Sequence, residues 1–500
     1  MSEGLFEPRH KELSRHMASG IINSGVVQAV KLLSQFGSVI ILSRLLSPAD
    51  FGVMAMVAPV YSFVLIFHDL GLSQATVQRA NLSHGEVNVF FWLNVAMGAV
   101  LCLLIALFSP VIGWYYHDQR VVSLSIAVGA LIWVGSLGGQ HGALLQRRME
   151  FSRLAIIDII GTLSGLVVSV IAAIVIKEYW ALYFGMATAV IIPVIGAWVA
   201  SGWRPSFPKR VAGLQDMLKF GAGITSVNIT TFIAGCADNI LIGRTWGEQS
   251  LGFYDRAYKL LLFPIQRIVS PLAGTMIPLL SRVREETGKY RSLIHNTQEQ
   301  LLVAIWPGII WAVMLSHTLV PFVLGRKWSD AADIFVPLGI ASLAQILNSP
   351  TGWMFISQGR AGDFAKWGIF NAITSVAAFV IGLPYGGMGV AIAYAASEYI
   401  RTPLLWWYAT RRGPVQLPDV IISVMPHTAS GMVTAMVLYY LKQTVTGPDI
   451  LLLIEGLVIS YGIFALTMGL FRNGRRTLRR SAEFATRLLF HMYPGKEGRI

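Results

Sequence analysis

The sequence predicts an all-α polytopic membrane protein of about 14 transmembrane helices. Three observations lead there. Of the 500 residues, 54% are hydrophobic and 13% charged, against roughly a quarter charged in a soluble domain. The mean hydropathy is +0.60, which excludes a soluble enzyme, a disordered chain and a disulfide-stapled secreted domain. It also disfavours an outer-membrane barrel, whose alternating strands average lower. Finally, apolar windows long enough to span a bilayer recur along the whole chain, and helices are what satisfy the backbone there.

The windows lie at 18–43, 51–72, 87–112, 120–143, 154–176, 180–201, 217–243, 251–280, 298–323, 331–357, 364–381, 389–409, 420–441 and 450–471. The 17 residues before the first are mostly polar, with Arg9, Lys11 and Arg15. That window is too long for the apolar core of a signal peptide, so it reads as a retained span. With the N-terminus inside, the inner segments hold 27 Lys and Arg. The outer ones hold 6: Arg44, Lys177, Arg244, Arg326, Lys327 and Lys442. That asymmetry orients the chain with both termini cytoplasmic, and it explains the net charge of +13 without nucleic acid. Every outer connection is shorter than ten residues. Cys102 and Cys236 both fall inside apolar windows, so neither a disulfide framework nor a metal site is indicated.

A repeat organises the spans. Leu42-Ser43-Arg44 and Phe51-Gly52 recur as Ile242-Gly243-Arg244 and Leu251-Gly252, at an offset of 200. An even number of spans separates the copies, so the two halves have the same orientation, related by an axis along the membrane normal. The resulting division is an N-tail (1–17), a first six-helix lobe (18–201), a cytoplasmic linker (202–216), a second lobe (217–409), two further spans (420–471) and a basic C-tail (472–500). The C-tail, with Arg472, Arg475, Arg476, Arg479 and Arg480, is expected to lie against anionic headgroups.

Charges inside the spans mark the candidate site, because an ion at mid-membrane costs about 2.5–3.5 kcal/mol even on mild scales. Lys31 belongs to a one-face stripe of Ser24, Gln28, Lys31, Gln35 and Ser38. Its repeat mate carries Asn228, Thr231, Gly235 and Asp238. Matching faces point to one shared cavity, although helix–helix hydrogen bonding accounts for the amides and hydroxyls equally well. Arg256, Lys259 and Arg267 share one side of the eighth span. They form an electropositive pocket for an anion such as phosphate, unless protein acids answer them; Asp69, Asp158, Asp238 and Glu398 are available. Arg401 follows Glu398 by three residues, so it either joins the pocket or neutralises its neighbour. Tyr and Trp near span ends, as in Trp406-Trp407-Tyr408, form an interfacial belt. The sequence has no Gly-x-x-x-x-Gly-Lys-[Ser/Thr] phosphate loop, zinc-helix motif or nucleophile elbow. We therefore expect a non-enzyme without cofactor.

Several stretches carry a resemblance. They are Leu42-Ser-Arg-Leu-Leu-Ser-Pro-Ala-Asp-Phe-Gly52, Asp69-Leu-Gly-Leu, Gln78-Arg79 with Leu82-Ser-His84, Phe91-Trp-Leu-Asn94 and Gln146-Arg-Arg-Met-Glu-Phe151. Leu251-Gly-Phe-Tyr254 with Ala257-Tyr258, and Pro278-Leu-Leu-Ser281, follow. In order and spacing the chain resembles the Wzx-type polysaccharide flippases of the multidrug/oligosaccharidyl-lipid/polysaccharide exporter superfamily, most of all their colanic-acid exporter branch. The resemblance implies two six-helix lobes around a central cavity plus two extra helices in a bacterial inner membrane. The implied substrate is an undecaprenyl-pyrophosphate-linked oligosaccharide. Polysaccharide polymerase and chain-length or export proteins are the implied partners. Lys31, Arg256, Lys259, Arg267 and Arg401 then become pyrophosphate ligands, and Asp69, Asp238 and Glu398 candidate ion-coupling groups. Three rivals stand beside this reading. A drug or cation antiporter of the same superfamily would want an acidic cavity. A polysaccharide polymerase or ligase would want a large outer loop. A lipid II flippase is separable only by substrate.

Overall fold

The computed structural model describes residues 30–67, 71–79, 82–207, 214–444 and 447–492, excepting the side chains of 214–231, 233, 234, 263, 264, 267 and 484–492. Among the described residues nine helices are long and apolar enough to cross a membrane, or ten if a bent pair forms one span. Their polarity is inverted relative to a soluble protein. Leu103, Leu107, Val175, Val199, Met432 and Leu470 are exposed large apolar side chains. Ser43, Ser125, Gln140, His141, Gln298, Ser430 and Ser460 are completely buried. Lipid offers no hydrogen bonds, so polar groups sit inside the bundle, where Gln140 accepts from the Thr76 hydroxyl (2.6 Å) and Ser460 donates to Pro307 O (2.7 Å).

The chain divides into two compact units, Met1–Asp255 and Arg256–Ile500. In the first, α1 covers residues 30–45 and α2 runs Pro48–Leu65. Ser47 starts α2 with a capping box: Asp50 N–H donates to its hydroxyl (3.3 Å) and Ser47 N–H donates to the Asp50 carboxylate (2.9 Å). After α3 (Leu72–Gln78), Ser83 and Glu86 start α4 (His84–Tyr116) by the same device. The expected span 120–143 is α5 (Gln119–Ser136) followed by α6 (Gly139–Arg147). The pair α7 (Phe151–Val175) and α8 (Trp180–Ser201) packs through Gly161, Gly165, Ser169 and Gly185, small residues that let the two backbones approach.

Helix α9 (Leu214–Arg282) contains both expected spans 217–243 and 251–280. They are separated only by Gly247, at φ 75° and ψ −174°, a conformation closed to residues with a Cβ. The second unit takes the rest of α9, then α10 (Thr287–Met314) and α11 (Ser316–Leu324). The sequence predicts one span over 298–323; the structure bends by 87° at this junction. Leu315, at the corner, is fully buried against Leu452 and Leu453, which anchors the turn. Then follow α12 (Ser329–Ser357), α13 (Ala361–Gly382), α14 (Gly386–Thr410), α15 (Leu417–Thr444), α16 (Asp449–Leu470) and α17 (Arg472–Met492). Helix α16 is tied to α10 by Trp311 Nε1 donating to Leu453 O (3.0 Å) and by Ser460 and Tyr461 donating to Pro307 O and Ala304 O (both 2.7 Å).

Candidate transport site

In the first unit the Lys31 ammonium donates to Asp158 Oδ2 at 2.7 Å, joining α1 to α7. The two side chains are 31% and 49% exposed, so the pair lies on an accessible face rather than in a dry core. Gln35, one turn along α1, is exposed as well. Asp238 is buried on α9, where the Tyr254 hydroxyl donates to it (3.0 Å) and so does the Asn239 backbone N–H (2.8 Å). Ser24, Gln28 and Asp69 lie outside the described residues, and so do the side chains of Asn228, Thr231 and Arg267.

In the second unit Arg256 is half-buried and Lys259 exposed, one turn apart on α9. Glu398 and Arg401 form a buried ion pair on α14, 10% and 4% exposed in their side chains. Arg401 also donates to the hydroxyls of Thr374 (2.9 Å) and Ser375 (2.7 Å) and to Asn371 O (3.2 Å). Self-neutralisation, one of the two readings open in the sequence, describes this pair; its guanidinium fastens α14 to α13.

The repeat appears as a contact that sequence reasoning missed. A Cβ built on Gly52 would lie 1.7 Å from the carbonyl oxygen of Glu248, and one on Gly252 would lie 1.9 Å from that of Pro48. Since 248 and 252 are 48 and 52 shifted by 200, the two copies of the motif touch reciprocally, as in an isologous two-fold contact. Backbone meets backbone there with no side chain between them. Phe51, Leu251 and Leu46 beside it are buried. Arg120, which the sequence places at a span end, binds Asp118 (2.7 Å) and Glu248 (2.9 Å) and steadies the same junction.

Arginines counted only as topology signals also have structural work. Arg148, following α6, donates to Ser201 O at the end of α8 (2.8 Å). Arg360, following α12, donates to Ala409 O (2.8 Å) and Tyr408 O (3.1 Å) near the end of α14. Each guanidinium answers the unpaired carbonyls of a helix C-terminus, and each does so at the corresponding point of its half. Arg147 similarly binds Thr76 O (3.1 Å) and Arg79 O (2.5 Å) at the end of α3.

Spanning helices, two copies of one motif in backbone contact and charged side chains within the spans define a polytopic membrane protein built on an internal repeat. Solved structures agree on the fold. A lipid II flippase MurJ in an inward closed conformation is 12% identical, with TM-score 0.74 over 90% of this chain and 98% of that one. An inward-facing multidrug resistance MATE family transporter of the MOP superfamily is 14% identical, with TM-score 0.57 over 82% and 98%. Residues 41–333 match the polysaccharide biosynthesis protein family, and the chain belongs to that family. Among its relatives, the lipopolysaccharide biosynthesis protein WzxC of Escherichia coli (strain K12) is 23% identical over 374 residues, 73% of this chain and 75% of that one.

Proposed function

We propose that this protein is a flippase. It carries undecaprenyl-pyrophosphate-linked oligosaccharide repeat units from the cytoplasmic to the outer face of the bacterial inner membrane, by alternating access, for exopolysaccharide, capsule or O-antigen synthesis. The observation that carries this reading is the reciprocal seal of Gly52 on Glu248 and Gly252 on Pro48. A seal made of two copies of one repeat, with backbone alone in contact, can part by a symmetric rocking of the two lobes. Both termini are cytoplasmic in this reading, and by the charge asymmetry the seal is at the outer end. The family and the flippase fold support a lipid-linked sugar as cargo.

The pyrophosphate engages Lys31, Arg256, Lys259 and Arg267. Lys31 keeps Asp158 as its counterion until a phosphate oxygen replaces the carboxylate, so the cation is never left alone in the membrane. Arg401 stands outside this set because Glu398 and the α13 hydroxyls hold it. The polar stripes on the first and seventh spans, including Gln35, meet the sugar. The polyprenyl tail stays apolar: Trp306, Ile310, Leu343, Leu347, Pro403 and Met432 line a cavity of about 500 Å³ beside α15 that suits it. Of the ion-coupling candidates with described contacts, Glu398 is held by Arg401, and Asp238, which accepts from Tyr254 and Asn239, is the one we assign. In the absence of a nucleotide loop, transport draws on an ion gradient or on consumption of the product outside by a polymerase and its chain-length and export partners.

The test is to deplete the protein and identify by mass the undecaprenyl-linked oligosaccharide that accumulates, then to assign its membrane face. Accumulation on the cytoplasmic face is expected. Accumulation on the outer face would point to a polymerase or ligase, and unchanged lipids with altered drug sensitivity would point to an antiporter.

A further inference from the structure

A polar cavity lies in the Arg256–Ile500 unit, away from the residues assigned above. It has a volume of about 280 Å³ and is lined by Arg291, His295 and Glu299 of α10, Asp419 of α15, and Arg476 and Arg480 of α17. By the charge asymmetry it faces the cytoplasm.

Both acids are already engaged. Asp419 is ion-paired with Arg291, and Glu299 accepts from the Thr477 hydroxyl (2.7 Å). Among the described residues Arg480 donates to the Asn296 amide oxygen and, without an ion pair, is attracted to Glu299. Arg476 makes no hydrogen bond or ion pair among the described residues, its described interaction being the attraction to Glu299. Two guanidiniums on one face of α17, four residues apart, therefore repel each other with no carboxylate within ion-pair distance among the described residues. Beside them both ring nitrogens of His295 are buried without a hydrogen-bond partner among the described residues, the nearer Asp419 oxygen standing 3.9 Å away. Buried polar atoms left this way are costly and rare. One tetrahedral anion would answer all three groups, since guanidinium forks match phosphate oxygens and an imidazole N–H can donate to a third.

We infer that this cavity binds a single phosphate group, as a mono- or diester, and that the bound group clasps α17 to α10 and α15. An anionic lipid headgroup of the inner leaflet or a soluble phosphate could bring the same chemistry. The site is independent of the transport pathway, and its test does not read transport.

The full-length protein is purified in detergent, and its melting temperature and retained lipids, the latter by native mass spectrometry, are followed with added phosphatidylglycerol, phosphatidylcholine or inorganic phosphate. We expect phosphatidylglycerol to raise the melting temperature saturably and to leave one more retained lipid than phosphatidylcholine does. The double variant Arg476→Gln/Arg480→Gln loses both effects. Arg475→Gln/Arg479→Gln, which removes the same charge from α17 outside the cavity lining, keeps them. His295→Gln, which leaves the formal charge unchanged, weakens the apparent affinity and serves if the double variant fails to fold. A saturable shift with inorganic phosphate, lost in the same variants, assigns the site to a soluble phosphate. Equal responses to both lipids, or a response unchanged in Arg476→Gln/Arg480→Gln and in His295→Gln, would overturn the inference.

Discussion

Gly52→Ala adds one methyl group to the contact proposed above as the outer seal. Its carbon would lie 1.7 Å from the Glu248 carbonyl oxygen, whereas ordinary contact begins at 3.4 Å, so the two backbones must part by about 1.7 Å. The obstacle is backbone on both sides and cannot rotate away. Overpacking of this kind costs about 1–3 kcal/mol. Because the strain exists only when the seal is shut, it shifts the closed-to-open ratio by about 5–150-fold. The readout is Leu46→Cys, a buried position (1% exposed) in the loop before α2, with Cys102 and Cys236 replaced by Ser. Whole cells are labelled with a membrane-impermeant maleimide. Labelling in the Gly52→Ala background should rise several-fold or more, and export should fall while membrane insertion is retained. Gly252→Ala should behave alike, its methyl lying 1.9 Å from Pro48 O. The same substitution at Gly462, where an added Cβ meets nothing within 4 Å, should leave both readouts unchanged. Labelling in Gly52→Ala equal to that in Gly462→Ala would refute the seal.

Three further outcomes are expected. Lys31→Ala should abolish export with normal insertion, and the exchange Lys31→Asp/Asp158→Lys should restore the ion pair without restoring export; full export from the exchanged protein would mean that Lys31 serves structure alone. Arg360→Ala should lower the melting temperature in detergent, since charged hydrogen bonds of this kind contribute about 1.5–3 kcal/mol, and Arg360→Lys should rescue little because one ammonium cannot span Tyr408 O and Ala409 O. Glu398→Ala should destabilise by about 3–5 kcal/mol by stranding Arg401, with Glu398→Leu/Arg401→Met recovering much of it; a double variant as unstable as the single one would argue against a self-neutralising pair.

What could be read along the chain was whatever depends on local chemistry and on the solvent. Hydropathy placed the spans 154–176, 180–201, 331–357, 364–381, 389–409, 420–441 and 450–471 within about three residues of the observed helices, because a helix in lipid satisfies its own backbone wherever it sits. The capping boxes at Ser47 and Ser83 are likewise local. The repeat at offset 200 was visible as Arg44…Gly52 and Arg244…Gly252, yet its meaning was not: a glycine at a span edge looks like a turn until another backbone is found against it. Lys31 was identifiable as an anomaly, but not its pairing with a carboxylate 127 residues away. Arg148 and Arg360 counted equally as inner charges, and only packing brought each to the carbonyls of a helix end some fifty residues on. The bend after α10 and the docking of α17 were beyond periodicity for the same reason. A buried Leu315 and a cavity shared by three helices are decided by which surfaces meet, and that is a property of the assembled bundle rather than of any one segment.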